Sequence, residues 1–350
     1  MQTAIQPILD TTPLRWTDLI PINSTPRSDL DVAVANFKRV LVNADRQALK
    51  NNNVVPPRVA ADVEDAFRAC NAELHALQGE LMNGNEELGA RIQSDLLPYL
   101  LLTNTAERWY SKPRGYAGDF LSIHEIYQNV PQGRGRIGSV LDQCFLNLPA
   151  AIAVRNRRPL LAREINAVVA AKQDSPARIT SLACGPAAEI FDVYANLENS
   201  SKLTSTLIDI DLQALAFVAE RRDKARLQRH MRLVNANLIY ILTGREKIDL
   251  RDQDLIYSIG LIDYFNDDFV IKLLNYIHGA LVPGGKVILG NFHPRNPDKA
   301  LMDHVFDWRL IHRTEADMDR LFRASAFRRA STNVRFEEQG INLFAECVKQ

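Results

Sequence analysis

The sequence predicts an α/β chain: an all-helical N-terminal region, then a doubly wound, mostly parallel sheet that ends in an antiparallel hairpin. Three patterns carry that reading. Up to about Leu102, apolar residues recur at three- and four-residue spacing, the period of a helix. From Arg178 onward, apolar runs of about five residues alternate with helical stretches, as buried parallel strands and their crossovers do. The last two apolar runs, at 327–334 and 341–348, have only a loop between them, which makes them an antiparallel pair.

The elements follow in order. Residues 1–27 contain Pro7, Pro13, Pro21 and Pro26 and read as an extended arm. A helix begins at Ser28, with Leu30, Val34, Phe37 and Leu41 on one stripe. Residues 51–57 interrupt it. A second stripe runs through Val59, Val63, Phe67, Cys70, Leu74, Leu77 and Leu81, and the Asn83-Gly84-Asn85 break precedes a third helix ending near Leu102. Such spacings describe packing, not chemistry, so these helices are expected to cover an active site or to pair two copies of the chain as a homodimer. Strands are predicted at 179–183, 203–208, 255–259 and 286–290, and helices at 193–197, 213–227 and 269–281. The expected organisation is an arm at 1–27, a helical domain at 28–140 and an α/β domain at 141–350.

Composition narrows the class. The 350 residues are 46% hydrophobic and 24% charged, and 42 basic residues balance 42 acidic ones. A neutral chain has no global field drawing it to nucleic acid, so no nucleic-acid partner is expected. Two basic clusters, one of Arg155, Arg157 and Arg158 and one spanning Arg221 to Arg232, read as solvated helix faces. Cys70, Cys144, Cys184 and Cys347 form no CxxC pair, so neither a metal site nor a disulfide framework is expected. The first twenty residues include Asp10, Arg15 and Asp18 and lack an apolar core behind basic residues. Neither a secretory leader nor membrane insertion is expected, and the expected location is the cytoplasm.

The turn after the first strand reads Ser181-Leu182-Ala183-Cys184-Gly185-Pro186-Ala187-Ala188-Glu189. Small residues there let a ligand approach the backbone, and the following helix offers unpaired N–H groups. The next strand ends Ile208-Asp209-Ile210-Asp211, about twenty residues downstream, where an acidic side chain can accept hydrogen bonds from ribose hydroxyls.

This order of elements resembles the Rossmann-like class I S-adenosylmethionine (SAM)-dependent methyltransferases. Ser181, Ala183, Gly185 and Ala187 stand at the positions of that family's first motif, with Ser181 at its acidic position and alanine for two of its glycines. Asp209 stands at the second. Asn235-Ala236-Asn237 resembles the segment that reads adenine, and the run from Asp254 to Gly260, with Ser258, resembles the motif beside the transferable methyl. The run from Leu281 to Leu289, with Pro283-Gly284-Gly285, closely resembles a structural turn-and-strand motif of the family. The resemblance implies SAM as cofactor, with Ala183, Cys184, Gly185 and Pro186 at its methionine portion, Asp209 and Ile210 at the ribose, Asn235 and Ala236 at adenine, and Ser258 and Gly260 beside the methyl.

A narrower resemblance lies upstream. The run Lys112-Pro113-Arg114-Gly115-Tyr116-Ala117-Gly118-Asp119 is similar to the KPxGYAGD segment of a bacterial methyltransferase group that includes makers of 3-hydroxy fatty acid methyl esters, which serve as quorum signals. Its small residues beside aromatic and charged ones suit a loop closing over SAM. Tyr110, Arg114, Tyr116, Gly118 and Asp119 are therefore expected at the cofactor, the two tyrosines shielding the sulfonium.

Methyl transfer needs a nucleophile in line with the departing sulfur. A carboxylate acceptor is ionised at neutral pH, whereas a hydroxyl needs a base. His293, just after the strand at 286–290, and His124, close to the proposed loop, are the candidate bases. Tyr257, Asp263 and Tyr264, in or just after the fourth strand, are expected to line the acceptor pocket, with Tyr264 a catalytic candidate. The function expected is O-methylation of a small-molecule carboxylate or hydroxyl, with a fatty-acid-like compound among the candidates. The alternatives are N- or C-methylation of a specialised metabolite, or a SAM-binding regulatory protein without catalysis. The terminal hairpin argues against a dehydrogenase.

Overall fold

The computed structural model of the chain describes residues 29–82, 86–172 and 174–350. The arm at 1–27 and the Asn83-Gly84-Asn85 break lie outside these. The N-terminal region is helical as expected. Helix α1 (Asp29–Lys50) buries Leu30, Val34, Phe37 and Leu41, the predicted stripe. It packs along α2 (Pro57–Ala76). The second predicted helix is interrupted at Leu77, whose N–H turns back to the Glu73 and His75 carbonyls before α3 (Gln78–Met82) begins. Then come α4 (Glu86–Leu100), α5 (Asn104–Ser111), α6 (Phe120–Gln128), α7 (Gly138–Leu146) and α8 (Pro149–Ala171).

The α/β part runs β1 (Ala177–Leu182), α9 (Ala188–Asn196), β2 (Leu203–Asp209), α10 (Leu212–Lys224), β3 (Met231–Asn235), α11 (Leu238–Leu242), β4 (Gln253–Ile259), α12 (Asp267–Ala280), β5 (Leu281–Phe292), α13 (Lys299–His304), α14 (Glu315–Ala324), β6 (Asn333–Phe336) and β7 (Asn342–Val348). The described residues form a seven-stranded sheet in the order β3-β2-β1-β4-β5-β7-β6. Strands β1 to β5 are parallel, and β7 runs antiparallel to both β5 and β6. Alternate side chains serve the two faces. Leu255 and Tyr257 join the α8, α9 and α10 side, while Ile256 joins the α11, α12 and α14 side. The strand order reverses between β1 and β4, which opens a crevice beyond their C-terminal ends.

Three boundaries stand apart from the sequence reading, the first being helix α9, which begins at Ala188 and not at 193. The first hairpin strand begins at Asn333, not at Phe327. Phe327 is instead buried edge-on against Phe322 and His278, and Arg328 at φ +52° breaks the extended chain. Strand β5 begins five residues early, at Leu281, and pairs with Gln253 through a register shift. Gly285 permits this, because a Cβ there would stand 2.7 Å from the Gln253 carbonyl oxygen.

The division at residue 140 does not separate two cores. The cluster that holds Phe37, Phe67, Trp109 and Phe145 also takes Phe292, Leu301, Val305, Phe306 and Trp308 from the C-terminal part. Trp109 lies edge-on to Phe145, Phe306 and Trp308 at 6.0, 5.6 and 5.5 Å between ring centroids. Helix α8 spans both regions, with Ala153 and Val154 in the helical core and Leu160, Leu161, Ile165 and Val169 against the sheet. No helix among the described residues is long and apolar enough to cross a membrane.

Candidate active site

The crevice at the strand reversal holds a cavity of about 360 Å³, walled by the ends of β1, β2 and β4, by α8, and by the segment between α5 and α6. That size suits a small ligand. Ala183, Cys184, Gly185 and Pro186 form one wall. Gly185 sits at φ +51°, and the atoms nearest to a Cβ built on it, from Phe120, are 4.0 Å away. The backbone is therefore open to a ligand there.

Asp209 and Ile210 lie at the tip of β2 on the cavity wall. The Asp209 carboxylate accepts the Gly185 N–H at 2.9 Å with one oxygen and the Asp211 N–H at 2.9 Å with the other. Each oxygen keeps a further lone pair. Burial pushes this carboxyl up, against the pull of those two N–H groups.

The other residues expected at the cofactor divide. Gly260, at φ +79°, lines the cavity. Ser258 does not: it is buried, and its hydroxyl donates to the Leu182 carbonyl, tying β4 to β1. Asn235 and Ala236 also lie outside the cavity wall. The Asn235 amide donates to the Asp209 and Ile210 carbonyls, and the Ala236 N–H donates to Asp209. These groups fasten the end of β3 to the end of β2, so Ala236 has no backbone donor left for a base.

The Lys112–Asp119 run roofs the cavity with only part of its residues. Tyr116, Gly118 and the following Phe120 face inward. Tyr110 packs against the helical core. Asp119 is fully buried and does not line the cavity. It caps α6, accepting the Leu121 and Ser122 N–H groups, and both its oxygens accept from Arg108 at 2.6 and 2.7 Å. Its position just ahead of an apolar helix is the capping signal that could have shown this from sequence. Arg114 points outward and grips Asp211, the cap of α10, through two N–H groups, with Gln213 as a further partner. Lys112 reaches the Asp307 carbonyl at 2.8 Å. The segment is thus a roof fastened at three places.

Neither histidine reaches the cavity wall. His293 is buried beside Phe336, 3.1 Å from Glu315, and accepts the Arg295 N–H. The chain turns at the end of β5 and carries its ring toward α14. His124 stands on α6 against Phe217 and Gln128. Burial lowers its pKa, and neighbouring Arg221 and Arg158 lower it further.

Tyr257, Asp263 and Tyr264 do line the cavity. The Tyr257 hydroxyl donates to Glu189 at 2.7 Å. The Tyr264 oxygen accepts from Trp308 Nε1 at 2.9 Å. Asp263 is 1% exposed, and one oxygen accepts the Phe292 N–H at 2.7 Å. Burial raises its carboxyl to about 6.

Sequence reasoning missed Arg157 and Glu189. Arg157 is no solvated residue but is buried on the cavity wall, with its Nε donating to the Tyr127 hydroxyl at 3.3 Å. Its place among Ala150, Ala153, Val154, Leu160, Leu161 and Glu164, all buried, is the spacing that puts it inside. Its neighbour Arg158 pairs with Asp192 at the surface. Glu189 sits in the first turn of α9, also buried. The cavity wall therefore carries three carboxyl groups, Glu189, Asp209 and Asp263, against one guanidinium, Arg157.

A family model described as "Putative methyltransferase" matches residues 115–345. The uncharacterized protein YnbC of Escherichia coli K12 is 24% identical over 242 residues, which are 65% of this chain but only 40% of that protein. The solved structure of a "possible exported protein" from Bordetella parapertussis has a TM-score of 0.54 at 19% identity, covering 93% of this chain and 97% of that one. It shares the fold over nearly the whole length. Magnesium protoporphyrin IX methyltransferase from Synechocystis, solved with bound SAM, is 12% identical at a TM-score of 0.45, covering 70% of this chain and 96% of that one.

Proposed function

This chain belongs to the methyltransferase family matched over residues 115–345 and uses SAM, and from that premise we propose that it is an O-methyltransferase of a small, largely apolar acceptor bearing a hydroxyl or carboxylate. When bound, SAM supplies a methyl carbon on a sulfonium that an oxygen nucleophile can displace.

The residues present fit that cofactor. Gly185 leaves the backbone open, Asp209 keeps lone pairs for ribose hydroxyls, and the acidic excess of the wall suits a ligand carrying an ammonium and a sulfonium. Arg157, the one cationic side chain among the described lining residues, would face the methionine carboxylate. Tyr116 and Phe120 from the roof exclude water. The acceptor would occupy the part lined by Leu261, Tyr264, Phe265, Phe292, Trp308 and Leu310. An aliphatic acceptor body, like the acyl chain of the fatty acid methyl esters made in the resembling group, would suit such an apolar chamber.

The observation that carries the reading is one continuous cavity with Asp209 at one end and this apolar chamber at the other. Incubating the protein and cell extract with methyl-labelled SAM, then searching by mass spectrometry, tests it. A labelled small molecule with an O-methyl fragment is the expected product. Label appearing only on nitrogen or carbon, or in no small molecule at all, would contradict it.

A further inference from the structure

We propose that Asp263 reads the acceptor, and that the acceptor presents a neutral hydroxyl on an apolar body, not a carboxylate. This rests on the methyl-transfer reading and narrows its acceptor class.

Three observations support it. First, the two oxygens of Asp263 are treated differently. Oδ1 is held by the Phe292 N–H, while Oδ2 is buried with no hydrogen-bond partner. A buried acceptor without a donor is costly, and a ligand hydroxyl that reaches Oδ2 by a small shift of the side chains around it would satisfy it. Second, its surroundings are the apolar chamber of Leu261, Phe265, Phe292, Trp308 and Leu310, where no other carboxyl lines the wall. Third, the charge balance excludes a further anion. Arg157 is the one cationic side chain among the described lining residues, opposed by Glu189, Asp209 and Asp263. A carboxylate acceptor beside Asp263 would set like charges together in a poorly solvated space.

The charged groups facing Asp263 are Arg157 from α8 and Arg313 from the loop before α14, with Tyr264 on its own segment. Arg313 is committed elsewhere, to the Ile262 and Phe265 carbonyls, Asn291 and Asp267. Neither arginine is hydrogen-bonded to Asp263 among the described residues. In the step itself, the hydroxyl O–H bond breaks and its proton passes to Oδ2. The oxygen electron pair forms the bond to the methyl carbon, and the carbon–sulfur pair stays on sulfur.

The test uses full-length protein saturated with S-adenosylhomocysteine and two probes of one shape, para-propylphenol and para-propylbenzoate, titrated by calorimetry. At neutral pH the phenol should bind at least about tenfold tighter, the benzoate being repelled. Asp263→Asn keeps an oxygen for the Phe292 N–H and should narrow that ratio by about tenfold or more. Lowering the pH of the wild-type protein through about 6, where Asp263 gains its proton, should narrow it too. Benzoate binding as tightly as phenol at neutral pH, a ratio unmoved by Asp263→Asn, or no binding of either probe would overturn the proposal. The wild-type ratio needs no variant, so a misfolded Asp263→Asn protein leaves the test decisive. Failure of S-adenosylhomocysteine to bind at all would overturn the methyl-transfer reading itself.

Discussion

Asp209 holds two backbone N–H groups as well as the place expected for ribose, so its substitution has two effects. Asp209→Asn retains one good acceptor oxygen and leaves either the Gly185 or the Asp211 N–H without a partner. The affinity for S-adenosylhomocysteine should fall about tenfold or more, as loss of one charged hydrogen bond costs about 1.5–3 kcal/mol. The melting temperature without ligand should fall as well, and an unchanged affinity by calorimetry would remove Asp209 from the cofactor site. Asp263 makes a prediction of stability against pH. Its folded value of about 6 lies above the ordinary 3.8, so between these the folded chain keeps a proton that the unfolded chain has released. The stability from this group is whole below about pH 4 and is lost as pH rises to about 6. Asp298, also raised to about 6 by burial, acts in the same window. Ligand-free Asp263→Asn should therefore melt higher than wild type above pH 6 and approach it near pH 4; a lower melting point at neutral pH would contradict a buried, uncompensated charge. At this scale the sequence was legible where a motif fixed the backbone, as at Gly185 and Asp209. It was not legible at Asn235, Ser258 and Asp119, whose polar groups bond neighbouring backbone atoms instead. Nor was it at His293, where one turn of chain redirects the ring.

Among the elements, the Lys112–Asp119 roof behaves as a fastened strap. Lys112 anchors it to Asp307, Asp119 to Arg108, and Arg114 to Asp211. The Arg114 contact is the one that ties the roof to the α10 cap. Arg114→Ala should release that end, so amide exchange at Tyr116 to Gly118 should quicken while the strands stay protected. S-adenosylhomocysteine should dissociate faster, and unchanged exchange would show that the other two anchors suffice. Gly118 sets how closely the roof approaches. A Cβ there would stand 2.7 Å from the Tyr264 hydroxyl oxygen and 3.2 Å from Trp308. Gly118→Ala should break the Tyr264–Trp308 hydrogen bond and cost about 1–3 kcal/mol in denaturant unfolding, in line with overpacking elsewhere. A neutral effect would mean that Tyr264 swings away freely. The elements themselves were largely legible. Apolar runs located every strand but β3, and helical periods located α1, α2, α4, α10 and α12 but not α5 to α8, α11, α13 or α14. The hairpin was right in its antiparallel sense but its first strand was misplaced, because Phe327 is apolar for packing against α14 and not for pairing in the sheet.

At the scale of the whole molecule, the described residues share one apolar cluster between the two regions, so the helical region completes the α/β part. Phe306 and Trp308 come from the α/β part yet pack on Trp109, and Trp308 also holds Tyr264 at the cavity. A chain starting near Val140 would expose Leu301, Val305, Phe306 and Trp308 and lose Tyr116, Gly118 and Phe120 from the cavity wall. It should aggregate or lack a cooperative thermal transition, and a soluble fragment with a sharp transition would show that the two regions fold apart. This sharing was invisible to periodicity, which reports which face is buried but not what lies against it. The central claim is that the cavity at the β1–β4 reversal, closed by residues from both regions, is a SAM site. Calorimetric titration of the full-length protein with S-adenosylhomocysteine, and in parallel with NADH, tests it most directly. Saturable one-to-one binding of S-adenosylhomocysteine, weakened by Asp209→Asn, with no heat from NADH, is the predicted result; binding of NADH, with none of S-adenosylhomocysteine, would contradict it.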